Sequence, residues 1–201
     1  NRQNIPVDWA DYDLAQMRQA VADHTTDVLS ALKAEGVTPE WIQVGNETRS
    51  GMLWPVGRFQ DEKGEIPGGW ANYAQLTTAG YDACKAIFPD AMVIVHIDNA
   101  YMDNNWFYRT LLQNGGKFDM IGLSHYPMMK QWSGKDWLEM NQLAAQNIIQ
   151  LHDEFQCPVM VVEIGTYADA LDAVDVIADF RRRVDTLEYM KGIFYWEPQV
   201  Y

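Results

Sequence analysis

The chain has 201 residues, 48% of them apolar and 12% aromatic, and a formal net charge of −13. That apolar content supplies a core for one folded domain, while the negative balance repels nucleic acids and anionic membrane surfaces. No apolar run approaches the ~20 residues that span a bilayer, and Asn1–Val7 lacks the basic and apolar regions of a signal peptide. Asn1 in place of an initiator Met reads as a truncation point, with room for a targeting segment upstream. Cys84 and Cys157, the only cysteines, are expected as buried free thiols, with no disulfide framework and no Cys-based zinc site.

Apolar spacing at Leu14, Met17, Val21, Val28, Leu29 and Leu32 predicts a first helix ending near Gly36. A strand follows at Trp41–Glu47, then a long Gly- and Pro-containing stretch, Thr48–Gly69, expected as a loop. The pattern then alternates: helix Tyr73–Phe88, strand Met92–Asp98, helix Trp106–Leu112, strand Met120–Pro127, helix Trp137–Phe155, strand Val159–Gly165, helix Asp172–Val184 and strand Gly192–Pro198. Strand starts about 28 to 51 residues apart suit β/α units of a parallel sheet. Asp172, Asp175 and Asp179 share a face of the last helix, which reads as a solvated face rather than a cation site. No repeat or linker divides the chain, so residues 1–201 are expected as a single domain.

Glu47 and Glu163 stand at or near the C-terminal ends of two of these strands. Gly45-Asn46-Glu47 closes Trp-Ile-Gln-Val before the long loop, and Glu163 stands in Val161-Val162-Glu163-Ile164-Gly165. In a parallel β/α fold such positions line the active end. Hydrolysis of a glycosidic bond requires two carboxyl groups, one to protonate the leaving oxygen and one to attack or stabilise the anomeric carbon. Either Glu alone would read as one half of an ion pair, but two in Val-rich strands without a nearby basic residue point to chemistry.

Around them, Asn46 can present its amide to a sugar hydroxyl or simply form the turn. His96 can hydrogen-bond a substrate hydroxyl or a carboxylate. His125 and Tyr126 close the third strand, and a Tyr126 hydroxyl aimed at Glu163 would orient it. Trp196 at the last strand end and Trp54 in the long loop are candidate stacking platforms for sugar rings, with core packing as the alternative for Trp196.

Taken in order, Trp41-Ile-Gln-Val-Gly-Asn-Glu47, Ser50-Gly-Met-Leu-Trp-Pro55, His96-Ile-Asp-Asn99, Ile121-Gly-Leu-Ser-His-Tyr-Pro127, Val161-Val-Glu163 and Phe194-Tyr-Trp-Glu-Pro198 resemble glycoside hydrolase family 53, the endo-β-1,4-galactanases. The resemblance covers nearly the whole chain. It implies a clan A (β/α)₈ TIM barrel, present here as an incomplete barrel covering strands four to eight. The chain would lack about the first three β/α units and the end of the last, and its sheet should leave an edge and an inner apolar face exposed.

It also implies endo-cleavage of galactan or type I arabinogalactan with retention, Glu47 as acid/base and Glu163 as nucleophile. Asn46, Trp54, His96, Asp98, His125, Tyr126 and Trp196 would bind substrate, although His125 stands where the family often has Tyr. The loop Gly165-Thr-Tyr-Ala-Asp is short and lacks the Asp/His/Asn cluster that binds calcium in some members, so neither metal nor cofactor is expected. The partner is a galactan polysaccharide or galacto-oligosaccharide, the enzyme a monomer, and by family analogy it is secreted or in the cell envelope. Rival readings are another clan A endo-glycanase (mannanase, xylanase or cellulase), a non-catalytic glycan-binding barrel, and a metal-dependent hydrolase using His96, Asp98 and His125.

Overall fold

The computed structural model describes residues 3–128, 133–167 and 169–197. Pro198, the expected end of the last strand, lies outside them. Five parallel strands form one sheet in the spatial order Trp41–Val44, Met92–Ile97, Met120–His125, Val159–Ile164 and Met190–Tyr195. Contacts group the chain into two compact units, Asn1–Val95 with Phe107–Asp119, and His96–Trp106 with Met120–Tyr201.

In the first unit, a short 3₁₀ turn at Val7–Trp9 leads to α1 (Leu14–Ala34). Asp13 starts the helix: its carboxylate accepts from Gln16 N at 2.9 Å while the Gln16 side chain accepts from Asp13 N at 3.0 Å, so two end groups of the helix are satisfied reciprocally. Met17, Val21 and Leu29 form its buried stripe. Strand β1 (Trp41–Val44) pairs in parallel with β6 (Met92–Ile97), Trp41 opposite Met92.

The stretch 48–69 departs from the expected loop. It folds into two short antiparallel pairs, β2 (Gly51–Met52) with β3 (Gly57–Arg58), and β4 (Gln60–Asp61) with β5 (Gly64–Glu65). Phe59 between them is fully buried and stacks on Trp70 at 3.6 Å, with Tyr73 and Phe107 completing an aromatic cluster. A loop that carries its own core residue is pinned to the domain. The same cluster explains why α2 (Gly69–Ile87) begins four residues before the expected Tyr73: Trp70 packs from its first turn. α2 lies close against β1 at Gly80, where a Cβ would stand 2.7 Å from Val44 Cγ1. Helix α3 (Asn105–Gln113) follows β6.

The second unit contains β7 (Met120–His125), α4 (Trp137–Phe155), β8 (Val159–Ile164), α5 (Ala173–Val184) and β9 (Met190–Tyr195). Asp136 caps α4 by accepting from Glu139 N at 2.8 Å, and Gln156 ends it in the left-handed region at φ 52°. β7 is buried throughout and β8 nearly so, on the inner face as well as the helix face, so the inner face expected to lie open is covered at these two strands. Asp179 of α5 is not on a solvated face as expected: it accepts from Arg183 Nε at 2.7 Å and from Asn141 Nδ2 at 3.1 Å. Asp172 accepts from Trp137 Nε1 at 2.8 Å.

At the two sheet edges apolar side chains stay exposed, Trp41 at 37% on β1 and Phe194 at 51% on β9, the outcome expected of an open sheet. Cys84 is buried as expected and Cys157 only half-buried; both are free. Replacing Gly80 by Ala forces a methyl against Val44 and should cost about 1–3 kcal/mol. Denaturant unfolding checks this, and a Gly80→Ala protein as stable as the parent would remove that contact from the account.

Candidate active site

Whether a strand residue faces the helices or turns away from them is set by its register. In β7, His125 faces the helices: it packs on Phe180 of α5 at 4.7 Å between ring centroids, and its Nε2 contacts Asn141 Oδ1 of α4 at 2.8 Å. Ser124, one residue earlier, therefore faces the other way. Along β7 and β8, Leu123 stands opposite Val161, yet the next pair is Ser124 with Glu163 and the next His125 with Ile164. Val162 is the extra residue of a bulge. Without it Glu163 would pair with His125 and aim at the helices. With it, Glu163 joins Ser124 on the opposite face and Ile164 takes the buried place.

Glu163 is 8% exposed and accepts a hydrogen bond from the Tyr126 hydroxyl, 2.7 Å to Oε2. A carboxylate removed from water needs such a donor, and an O–H bond to it also fixes its orientation. His96, at the end of β6, is fully buried with Nε2 2.7 Å from Ser124 Oγ. A ring nitrogen of His96 and a carboxylate oxygen of Glu163 lie within 4.8 Å. Burial pushes the His96 ring down to about 4, so it is neutral at physiological pH. It therefore sits as an uncharged neighbour of Glu163, bonded to Ser124, rather than at the surface. Trp196 follows β9, its N–H donating to Ile164 O at 2.8 Å, and is 51% exposed. Tyr195, the last residue of β9, pairs with Ile164.

In the first unit, Gly45-Asn46-Glu47 leaves β1 in a turn: Gly45 has φ 79° and Glu47 φ 47°, a left-handed value that non-glycine residues adopt rarely and often at functional sites. The turn is held on both sides. Gln3 Nε2 donates to Asn46 O at 2.6 Å and to Glu47 O at 3.4 Å, and the fully buried Thr48 shares a 2.5 Å hydroxyl contact with Tyr73. Glu47 is half-buried and Asn46 exposed, with Asn46 Oδ1 receiving a 3.3 Å bond from Gln43.

Trp54 is half-buried with the Arg58 guanidinium 4.1 Å over its ring, so one of its two faces is already covered. Asp98 is half-buried just beyond β6. His125 is completely buried in strand–helix packing, and burial pushes its ring down to about 4, partly offset by Asn141; no surface remains for a sugar, so substrate contact is replaced by a structural role. Ser124, Thr48 and Tyr73 went unnoticed in the sequence. Ser124 stood inside a recognised motif; nothing local marked the other two.

A carboxylate at the C-terminal end of a parallel strand, buried and held by a tyrosine hydroxyl, is the equipment of a β/α-barrel enzyme. The chain belongs to glycosyl hydrolase family 53, whose family model matches residues 1–201. It is 32% identical to an uncharacterised protein of Niallia circulans, over 96% of this chain and 58% of that protein. An arabinogalactan endo-beta-1,4-galactanase of Thermothelomyces thermophilus is 26% identical over 98% of this chain and 62% of its own length. A solved fungal beta-1,4-galactanase superposes with a TM-score of 0.80 at 23% identity, covering 98% of this chain and 63% of that one. The fold is thus an incomplete (β/α)₈ barrel, and the chain spans about 60% of the length of the curated relatives it matches.

The two buried histidines predict a pH dependence. The unfolded chain, with His near 6.5, binds more protons than the folded one between pH 6.5 and about 4. Their stabilisation is whole above 6.5 and is lost as pH falls through that window, by up to about 1.4 kcal/mol per pH unit for each ring. Denaturant midpoints measured across the window should drop on acidification; a flat or rising profile would contradict the burial of these rings as neutral groups.

Proposed function

We propose that the protein is an endo-acting retaining hydrolase of β-1,4-galactosidic bonds in galactan or type I arabinogalactan, with Glu163 as nucleophile and Glu47 as acid/base. The observation that carries this reading is the buried Glu163 carboxylate, turned to the Ser124 face by the bulge and held by Tyr126, in a chain that the family model matches over residues 1–201. The galactanase named for the T. thermophilus relative supports the choice of polysaccharide.

In the first step a Glu163 oxygen bonds to the anomeric carbon as the glycosidic C–O bond breaks, and Glu47 gives its proton to the departing oxygen. In the second, Glu47 takes a proton from water, the water oxygen attacks the anomeric carbon, and the bond to Glu163 breaks to restore the carboxylate. Neither step calls for a metal or cofactor. Asn46 and Trp196 serve substrate directly, the latter as a half-exposed ring for a sugar face; Tyr126 serves through Glu163 and His96 through Ser124 and Glu163, and Asp98 and the open face of Trp54 extend the binding surface. A neutral polymer also suits a protein of charge −13. We place the enzyme where such polymers are met, secreted or in the cell envelope, acting as a monomer within one catalytic domain. No described helix is long and apolar enough to cross a membrane.

Four outcomes test the assignment in the full-length protein. Galactan should be cleaved and mannan, xylan and cellulose left intact; preference for one of those three would move the chain's substrate elsewhere in the clan. Glu163→Ala should abolish turnover of every substrate. Glu47→Ala should lose galactan cleavage but keep activity on aryl galactosides with good leaving groups, which need no proton; equal loss on both would remove Glu47 as the acid. The carboxyl separation in a crystal of the active enzyme should be ~5–5.5 Å, since roughly 6.5–9.5 Å belongs to inversion.

A further inference from the structure

Gly165 is buried two residues beyond Glu163. A Cβ placed on it would stand 2.8 Å from Tyr126 Cε1 and 3.2 Å from Cδ1. Non-bonded carbons settle at about 3.5–4.0 Å, so the ring of Tyr126 lies where only a glycine lets it lie. That same ring carries the hydroxyl bonded to Glu163 at 2.7 Å.

We propose that Gly165 is a positioning residue for the reaction: its missing side chain is the slot that brings the Tyr126 hydroxyl onto Glu163. The inference rests on the reading of Glu163 as the nucleophile. Gly165 is outside the left-handed region, so an alanine is acceptable to the backbone and tests the slot alone. Its methyl must push the ring back by about 0.7 Å or more, and a rigid ring passes that displacement to its hydroxyl. A hydrogen bond already at 2.7 Å is then stretched or broken, and Glu163 loses the donor that orients it.

The test is a double-mutant cycle in the full-length protein, using Gly165→Ala, Tyr126→Phe and the pair. Each single substitution should lower kcat on galactan by about ten- to hundredfold, the range of a lost charge-assisted hydrogen bond, with KM changed by less than about threefold. The pair should be no slower than Tyr126→Phe alone, because the slot has no purpose without the hydroxyl. Losses that multiply, or a Gly165→Ala enzyme with the parent's kcat, overturn the proposal. If Gly165→Ala does not fold, adding Tyr126→Leu removes the ring and must restore folding; a pair that stays unfolded is equally fatal.

A second readout separates this inference from the functional reading. 3-Fluorotyrosine placed at position 126 reports the ring's surroundings through its ¹⁹F resonance, which should move in Gly165→Ala without any substrate. If it moves while the parent enzyme ignores galactan or Glu163→Ala stays active, the slot stands and the assigned function falls. If it does not move in an enzyme that cleaves galactan through Glu163, the function stands and the slot falls.

Discussion

An alternating strand offers its side chains to two environments in turn, and one inserted residue exchanges them. In β8 that residue is Val162. Up to Val161 the strand keeps step with β7, and on unbroken alternation Glu163 would face His125 and the packed side chains of α4 and α5. The bulge advances Glu163 to Ser124 and gives Ile164 the place beside His125. A carboxylate left among Phe180 and the other apolar helix residues would lack water and a partner, an arrangement costing several kcal/mol. The exchange thus meets two needs together: an apolar residue fills the helix side, and the charge reaches Tyr126.

What surrounds Glu163 follows from that placement. Ser124 comes level with it and ties down His96, which burial keeps uncharged. The hydroxyl of Tyr126 supplies the donor, and Gly165 supplies the room. On the helix side, His125 contacts Asn141, which donates to the Val176 carbonyl at 2.9 Å and to Asp179. A buried polar chain of this kind fixes how β7 meets both helices, and so fixes Tyr126, the residue after His125. In the other unit the corresponding work falls to Thr48 and Tyr73. Their buried hydroxyl contact anchors the residue after Glu47 to α2, in a turn whose backbone is otherwise costly.

The strands and helices were legible because their apolar spacing is regular and their ends carry Gly, Pro and capping residues. Glu47, Glu163 and Tyr126 were legible because a polar residue at the end of an apolar strand is conspicuous. The expected Tyr126–Glu163 contact is present. Direction was harder. His125 and Tyr126 are adjacent polar residues with opposite fates, and only the bulge at Val162, which leaves no mark in a run of Val and Ile, sets the register they share with β8. The short antiparallel pairs between residues 51 and 65 were hidden because each strand is two residues long, too short for a period to show. Trp54 reads as an open platform because a long loop gives it little core to fill; Arg58, four residues on, covers one face. Gly165 gave no signal, since the space a glycine leaves is visible only once its neighbour is in place.

We assign Glu163 as the residue that bonds to the sugar. Trapping measures it directly: the full-length enzyme is incubated with a 2-deoxy-2-fluorogalactosyl donor carrying a good leaving group, digested, and its peptides weighed. One fluorogalactosyl adduct is expected, on the peptide containing Glu163 and absent from Glu163→Gln. An adduct on Glu47, or an enzyme that cleaves galactan yet forms no adduct on Glu163, would contradict it.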